Sequence, residues 1–354
     1  MKIVVTGLRG FPDIQGGIET HCEELYPRLA AGGLDITVVR RKPYVVKEHP
    51  HLEEWRGVKF HDINTTKRMG FEAFIHTMRG VWYAFRHHAD ILHIHAIGPA
   101  ITVPFAKLLG LKVVVTHHGP DYNRLKWGRF ARFILRLGER FAARRADELI
   151  VISTVIRDYL LEKYNRADTH LIYNGVNRPD RIDSTEYIHS LGLKPGKYIL
   201  TVGRFVKEKN FDKLILAFAA MKPSGDFQLV IAGDADHPSD FSESLKALAR
   251  QYGVVLTGMI KGAQLQELYS HAGLFVLPSS HEGLPITLLE AMSYGLPVMT
   301  SDIPANRAVN LPADCYFHLD HHVVETLCDA MNNKLQTAIH HTYDLSSYDW
   351  EAIA

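Results

Sequence analysis

Short, nearly uninterrupted apolar runs recur at residues 3–6, 36–40, 58–63, 91–95, 113–116 and 149–153, and longer stretches with helical spacing separate them. Runs this short, rich in Val and Ile and without alternation, mark strands buried on both faces, as in parallel sheets. A second series at 198–202, 228–232, 254–257, 274–277 and 298–301 repeats the rhythm. Strand alternating with helix, twice over, predicts an α/β chain of two Rossmann-like, doubly wound parallel-sheet domains. Asn174-Gly175 is a turn signal directly after a strand-like run. The domains are therefore expected at 1–173 and 174–340. Ligands of open α/β sheets sit beyond the carboxyl ends of the strands, so two such domains facing one another are expected to line a central cleft with strand-end loops.

Composition sharpens this picture in three places. With 354 residues, 46% of them hydrophobic and 22% charged, the chain can fill two cores. No run approaches the ~20 apolar residues of a membrane span, and the first strand begins at once, without a leader pattern. The three cysteines, Cys22, Cys315 and Cys328, have neither disulfide-framework nor zinc-site spacing. A cytoplasmic protein is expected, with peripheral placement on the inner face of the plasma membrane as a further expectation. The net charge of +1 conceals an asymmetry, because residues 1–173 hold 26 Lys and Arg against 18 Asp and Glu, while the remainder holds 14 against 21. A basic half is suited to an anionic membrane surface or a phosphorylated acceptor, although chance would also produce such counts. No nucleic-acid partner is expected.

The basic excess concentrates at 124–145, where Arg124, Lys126, Arg129, Arg132, Arg136, Arg140, Arg144 and Arg145 face a single acid, Glu139. Phe130, Phe133, Ile134, Leu137 and Phe141 give the same segment an apolar helical face, and Phe71, Phe74, Ile75, Met78, Trp82 and Phe85 form another. Such helices either rest on an anionic bilayer or bury their apolar faces against the sheet and leave the arginines solvated.

Candidate chemistry follows strand ends. After the run 274–277, Glu282 and Gly283 fall in a loop, Pro285 suits the first turn of a helix, and Glu290 lies about 8 Å further along its axis at ~1.5 Å per residue. Glu290 sits among apolar residues, where a carboxylate needs hydrogen-bond partners such as a pair of ribose hydroxyls. The backbone of Gly283-Leu284-Pro285 and the helix N-terminus offer donors to phosphate or sugar oxygens. An exposed helix with two unrelated glutamates is the plainer alternative. Arg204 and Lys209 leave the end of run 198–202 together, enough charge to offset a diphosphate. Gly16-Gly17 makes a glycine turn into a helix after the first strand, without the G-x-G-x-x-G of a dinucleotide site. His117, His118 and Asp121 follow the run 113–116, and either histidine could be the working ring. Asp234-Ala235-Asp236 is a literal D-x-D, a metal-binding triplet elsewhere, here read as a loop after a strand.

Glu282 and Glu290, separated by seven residues, resemble the E-x7-E signature of glycosyltransferase family 4, whose fold is GT-B. The similarity extends through Gly295-Leu296-Pro297-Val298 and Ser301-Asp302-Ile303-Pro304. It implies that Glu290 holds the ribose of a nucleotide and that Glu282 lies beside the transferred sugar. Arg204 and Lys209 match a G-R-x-x-x-x-K-N element and would contact the donor phosphates. Gly16-Gly17 matches the G-G-x-E loop, and His118 the acceptor-side histidine, with Asp121 available to acceptor or sugar. The opening Gly7-Leu8-Arg9-Gly10-Phe11-Pro12 is similar to a rhamnosyltransferase-like bacterial subset.

The resemblance implies a retaining transfer from a nucleotide-diphosphate sugar to a sugar or lipid-linked acceptor in cell-surface polysaccharide or glycolipid assembly, with no metal and no cofactor. It also implies that residues 341–354 return toward the N-terminal domain. A nucleotide-sugar epimerase or an inactive nucleotide-sugar-binding subunit would share the fold, whereas an oxidoreductase would need the missing dinucleotide fingerprint.

Overall fold

The computed structural model describes residues 1–45, 51–65, 71–124, 127–221, 227–236, 238–337 and 341–354, so Lys126 of the basic segment lies outside the described residues. Two compact units emerge: Met1–Gly175 joined by Tyr348–Ala354, and Val176–Ser347.

Among the described residues the first unit is built on eight strands: β1 (Lys2–Thr6), β2 (Asp35–Arg41), β3 (Glu54–Trp55), β4 (Val58–Ile63), β5 (Ile91–His95), β6 (Val113–His117), β7 (Glu148–Val151) and β8 (Thr169–Leu171). Their order is β3-β4-β2-β1-β5-β6-β7-β8. Val4, Val5, Val38, Leu92, Ile94 and Val113 are fully buried, as two-sided burial of a parallel sheet requires. One pair departs from the expected parallel arrangement, because β3 runs antiparallel to β4. The two-residue turn between them, Arg56 at φ 48 and Gly57 at φ 81, has the left-handed backbone that closes a tight hairpin. The chain winds one way from β1 and the other way from β5, so the two neighbours form the switch point.

The helices Phe71–Arg86 and Arg129–Arg145 dock through small residues rather than through their aromatic faces. A Cβ on Gly80 would lie 2.5 Å from Thr6 Oγ1, and one on Gly138 would lie 2.0 Å from the Ile97 carbonyl. Those close approaches fix each helix's rotation, with Gly138, Glu139, Ala142 and Ala143 turned inward. Phe130 and Phe133 are consequently 74% and 60% exposed. The terminal helix Trp350–Ile353 belongs to this unit, where Trp350 covers Gly175 and Glu351 pairs with Arg28 at 2.8 Å.

The second unit carries β9 (Tyr198–Val202), β10 (Gln228–Ala232), β11 (Val255–Gly258), β12 (Leu274–Leu277), β13 (Val298–Ser301) and β14 (Tyr316–Phe317) in the order β11-β10-β9-β12-β13-β14. All the paired strands are parallel. Phe211, Leu214 and Ile215 from one helix and Leu327 and Met331 from another close the same face of this sheet in one core. The winding reverses between β9 and β12, which makes their carboxyl ends the expected ligand position.

Candidate active site

The loops leaving β9 and β12 converge as that topology requires. Lys209 Nζ donates to Glu282 Oε1 at 2.6 Å, both side chains being mostly buried. Asn210 fastens the two loops beneath them, its Nδ2 donating to the Pro278 carbonyl at 2.8 Å, and Ser280 N–H donates to the Glu208 carbonyl at 2.8 Å. Arg204 Nη1 donates to Asp236 Oδ2 at 2.8 Å. Its neighbour Asp234 is paired with Lys246 at 2.9 Å and accepts the Ala235 N–H at 2.7 Å. Both carboxylates of the D-x-D are thus engaged by protein cations. Among the described residues no three His, Cys, Asp or Glu side chains gather as a metal site.

Pro285 stands immediately before the helix Ile286–Ser293 instead of inside its first turn. Its ψ of 95° is not helical, yet its carbonyl already accepts from Leu288 and Leu289 N–H at 3.1 and 3.2 Å, as a capping residue's does. Leu284 and Pro285 are buried and Gly283 is partly exposed, so the glycine is the accessible part of this turn. One turn into the helix, Glu290 is partly exposed and accepts the Tyr269 hydroxyl at 2.9 Å. Tyr269 is buried and stacked on Tyr294, with ring centroids 5.2 Å apart. Burial and the Glu290 charge raise its pKa, which keeps the hydroxyl protonated as a donor. Tyr269 lies 21 positions earlier on another helix, and no sequence pattern links it to Glu290.

In the first unit, Gly16 caps the helix Gly17–Ala31 at φ 148, where a Cβ would fall 2.0 Å from Glu19 Oε2. Arg9 holds this loop closed: its backbone N–H and Nε both donate to Glu19 Oε1 at 3.1 Å, and its Nη2 donates to the Gln15 carbonyl at 2.5 Å. Gly17 is exposed at the helix start.

The two adjacent histidines separate in role. His117 is fully buried; its Nδ1 accepts the Gly119 N–H at 3.1 Å, which leaves its proton on Nε2, 3.2 Å from Glu139 Oε1. His117 therefore braces the loop internally. His118 is partly exposed, with Nε2 2.9 Å from His95 Nδ1 and no partner for its Nδ1 among the described residues. Burial, then the neighbouring His21, His117 and His93, lowers its pKa well below the ordinary imidazole value, so the ring is neutral at pH 7. Asp121 is partly exposed and paired with Arg124 at 2.9 Å.

Glu139, the lone acid of the basic segment, proves to be a hub. It accepts from Tyr122 at 3.0 Å, Tyr164 at 2.8 Å and Lys163 at 2.7 Å, as well as from His117 and Tyr159. Burial alone would raise its pKa, but His117, Lys163 and Tyr164 outweigh that and bring it down to about 2. The isolation of one acid among eight bases was the signal that could have found it.

Two doubly wound units, the second with cations and carboxylates gathered at its switch point, are the architecture of GT-B glycosyltransferases. Residues 15–178 match Glycosyltransferase Family 4, and residues 183–342 match Glycosyl transferases group 1. The chain belongs to this glycosyltransferase family. It is 24% identical over 314 residues to the alpha-monoglucosyldiacylglycerol synthase of Streptococcus pneumoniae, covering 83% of this chain and 69% of that protein. It is 31% identical over 225 residues to the GDP-mannose:cellobiosyl-diphosphopolyprenol alpha-mannosyltransferase of Xanthomonas oryzae pv. oryzae, covering 61% of this chain and 57% of that protein. Sucrose-phosphate synthase from Thermosynechococcus elongatus has the same fold, with a TM-score of 0.79, 19% identity, and coverage of 99% of this chain and 96% of that one.

Proposed function

We propose that the protein is a retaining glycosyltransferase that takes a sugar from a nucleoside-diphosphate donor bound by the second unit and delivers it to a lipid-linked acceptor bound by the first. The observation that carries this reading is the grouping of Arg204, Lys209, Glu282 and Glu290 around the β9/β12 switch point. Glu290 supplies a carboxylate for ribose hydroxyls, and Arg204 and Lys209 face the diphosphate. Glu282, already bound to Lys209, addresses the sugar. In the transfer step the anomeric C–O bond to the diphosphate breaks, and the acceptor oxygen bonds the same carbon from the same face. The acceptor proton passes to a departing phosphate oxygen. Charge developing on the diphosphate is met by the two cations and by the N-terminus of Ile286–Ser293, with no metal or cofactor in this reading. The pairing of Asp234 with Lys246 and of Asp236 with Arg204 supports leaving a metal out.

Glu290→Ala should weaken nucleoside-diphosphate binding by about tenfold to a hundredfold, the ~1.5 to 3 kcal/mol of hydrogen bonds to a charged group. Calorimetric titration measures this, and an unchanged affinity removes the ribose assignment.

A lipid-linked acceptor in cell-surface polysaccharide or glycolipid assembly is supported by the outer helices of the first unit and by the relatives' names, one of which prints a glycolipid product and the other a polyprenol-linked acceptor. Eight of the twelve exposed large apolar side chains among the described residues lie on its helices between β4 and β8, including Trp82, Phe85, Leu108, Phe130 and Phe133. The helices Phe71–Arg86 and Arg129–Arg145 both pack on the turn Pro99–Thr102, which places them in one layer. Exposed Arg79, Arg86, Arg129, Arg136 and Arg140 accompany the aromatic side chains. That surface fits peripheral contact with an anionic bilayer on the cytoplasmic side, each cation contributing about 1 kcal/mol. No helix among the described residues is long and apolar enough to cross a membrane. In flotation, the protein should rise with anionic but not neutral liposomes, and a variant with Arg129, Arg132 and Arg136 changed to Glu should not rise. Wild-type protein that ignores anionic vesicles at low salt would point to a soluble acceptor.

A further inference from the structure

Behind His118 lies an unbroken series of buried side chains joined by hydrogen bonds. Thr116 Oγ1 is 2.7 Å from His93 Nε2, His93 Nδ1 is 2.9 Å from the Tyr26 hydroxyl, and that hydroxyl is 2.5 Å from His95 Nε2. His95 Nδ1 is in turn 2.9 Å from His118 Nε2. The strand pleat explains the assembly: His93 and His95 are two positions apart on β5 and share a face, and β6 supplies Thr116 from the neighbouring strand. Tyr26 reaches both imidazoles from the helix Gly17–Ala31. Burial lowers the pKa of His93 to about 3 and that of His95 well below the ordinary value, so both rings are neutral at pH 7.

A chain of neutral imidazoles can be proton-ordered in only two ways. The Tyr26 hydroxyl has one proton for two imidazole neighbours, so it donates to one ring and accepts from the other. If it donates to His93, then His93 Nε2–H must donate to Thr116, whose hydroxyl proton would have to find another acceptor. Thr116 is 1% exposed and its hydroxyl has no other partner among the described residues, so that order strands a buried hydrogen. The opposite order satisfies every member: Thr116 donates to His93, His93 to Tyr26, Tyr26 to His95, and His95 to His118.

We propose that Thr116, His93, Tyr26 and His95 form a one-way hydrogen-bond chain that holds His118 as the tautomer protonated on Nδ1, so that its free nitrogen meets a sugar oxygen as a donor and not as a base. The four are positioning residues acting through His118, and the sugar-side part of this assignment rests on the proposed transferase reading.

The test is a two-bond 15N–1H correlation spectrum of the full chain labelled with 15N-histidine, at pH 7 and without substrate, with His118 assigned by its loss in His118→Gln. The expected pattern for His118 is a protonated Nδ1 and an unprotonated Nε2. In Thr116→Val the chain loses its fixed end, and the His118 signal should move toward a mixture of tautomers. An Nε2–H or doubly protonated His118 in the wild type overturns the proposal, whether or not Thr116→Val folds, and so does a well-folded Thr116→Val with an unchanged His118 pattern. Because no substrate is present, failure of the transferase reading would leave this result standing, and the reverse also holds.

Discussion

Lys209→Ala should reduce turnover by about a hundredfold to a thousandfold while changing nucleoside affinity much less. The expectation follows from what the side chain faces. Lys209 is mostly buried and bound to Glu282 at 2.6 Å, so removing it deletes a cation and also takes an ion-pair partner from a carboxylate beside the position assigned to the diphosphate. Interactions that strengthen as charge develops on a leaving group lower the barrier more than they improve ground-state binding, and removing one such donor costs about 2.7 to 4 kcal/mol. Steady-state kinetics set beside calorimetry of the nucleoside measures the contrast. Turnover within threefold of the wild type would remove Lys209 from the leaving-group site.

Glu139→Gln should destabilise the first unit by about 3 kcal/mol near neutral pH. Folding lowers this carboxyl from 4.5 to about 2, and each pKa unit is worth about 1.4 kcal/mol. A depressed folded-state pKa contributes its stabilisation fully above pH 4.5 and loses it as pH falls toward 2. Wild type and Glu139→Gln should therefore differ most at neutral pH and converge over that acid window. Denaturant unfolding of the full chain, with Trp127 in the same unit as a local probe, measures both. A constant difference from pH 7 to pH 2 would show that the carboxylate's charge is not what is lost. The variant should also loosen the His117–Gly119 brace, because His117 Nε2–H loses a charged acceptor.

The strands, and the convergence of the loops that carry Lys209 and Glu282, were the legible parts of the sequence. Runs at 58–63, 91–95, 198–202, 228–232, 274–277 and 298–301 coincide with β4, β5, β9, β10, β12 and β13, because strands buried on both faces leave a compositional mark. β3 and β14 are two residues each, too short to carry a pattern, and the antiparallel pairing of β3 rests on the backbone of Arg56-Gly57. Helical spacing gave the apolar faces of Phe71–Arg86 and Arg129–Arg145 but not which way they turn. That is set by Gly80 against Thr6 and Gly138 against Ile97, contacts between residues far apart in the chain. The same holds for the partners of the site residues. Glu290 was visible as a carboxylate in need of donors, whereas Tyr269 became its partner only through tertiary packing. His117 and His118 could not be told apart by spacing; Glu139 and His95, arriving from different elements, separate them.

Metal-free transfer with retention at the anomeric carbon, as proposed, can be tested in one assay. The full chain is incubated in EDTA with α-linked UDP-, GDP-, ADP- and dTDP-sugars and a lipid-linked acceptor, and the new glycosidic linkage is read by NMR. One donor should be consumed at a rate unaffected by the chelator, and the product should carry the α configuration. A β-linked product, or turnover that requires added Mg²⁺ and disappears in Asp234→Ala, would overturn the metal-free retaining mechanism.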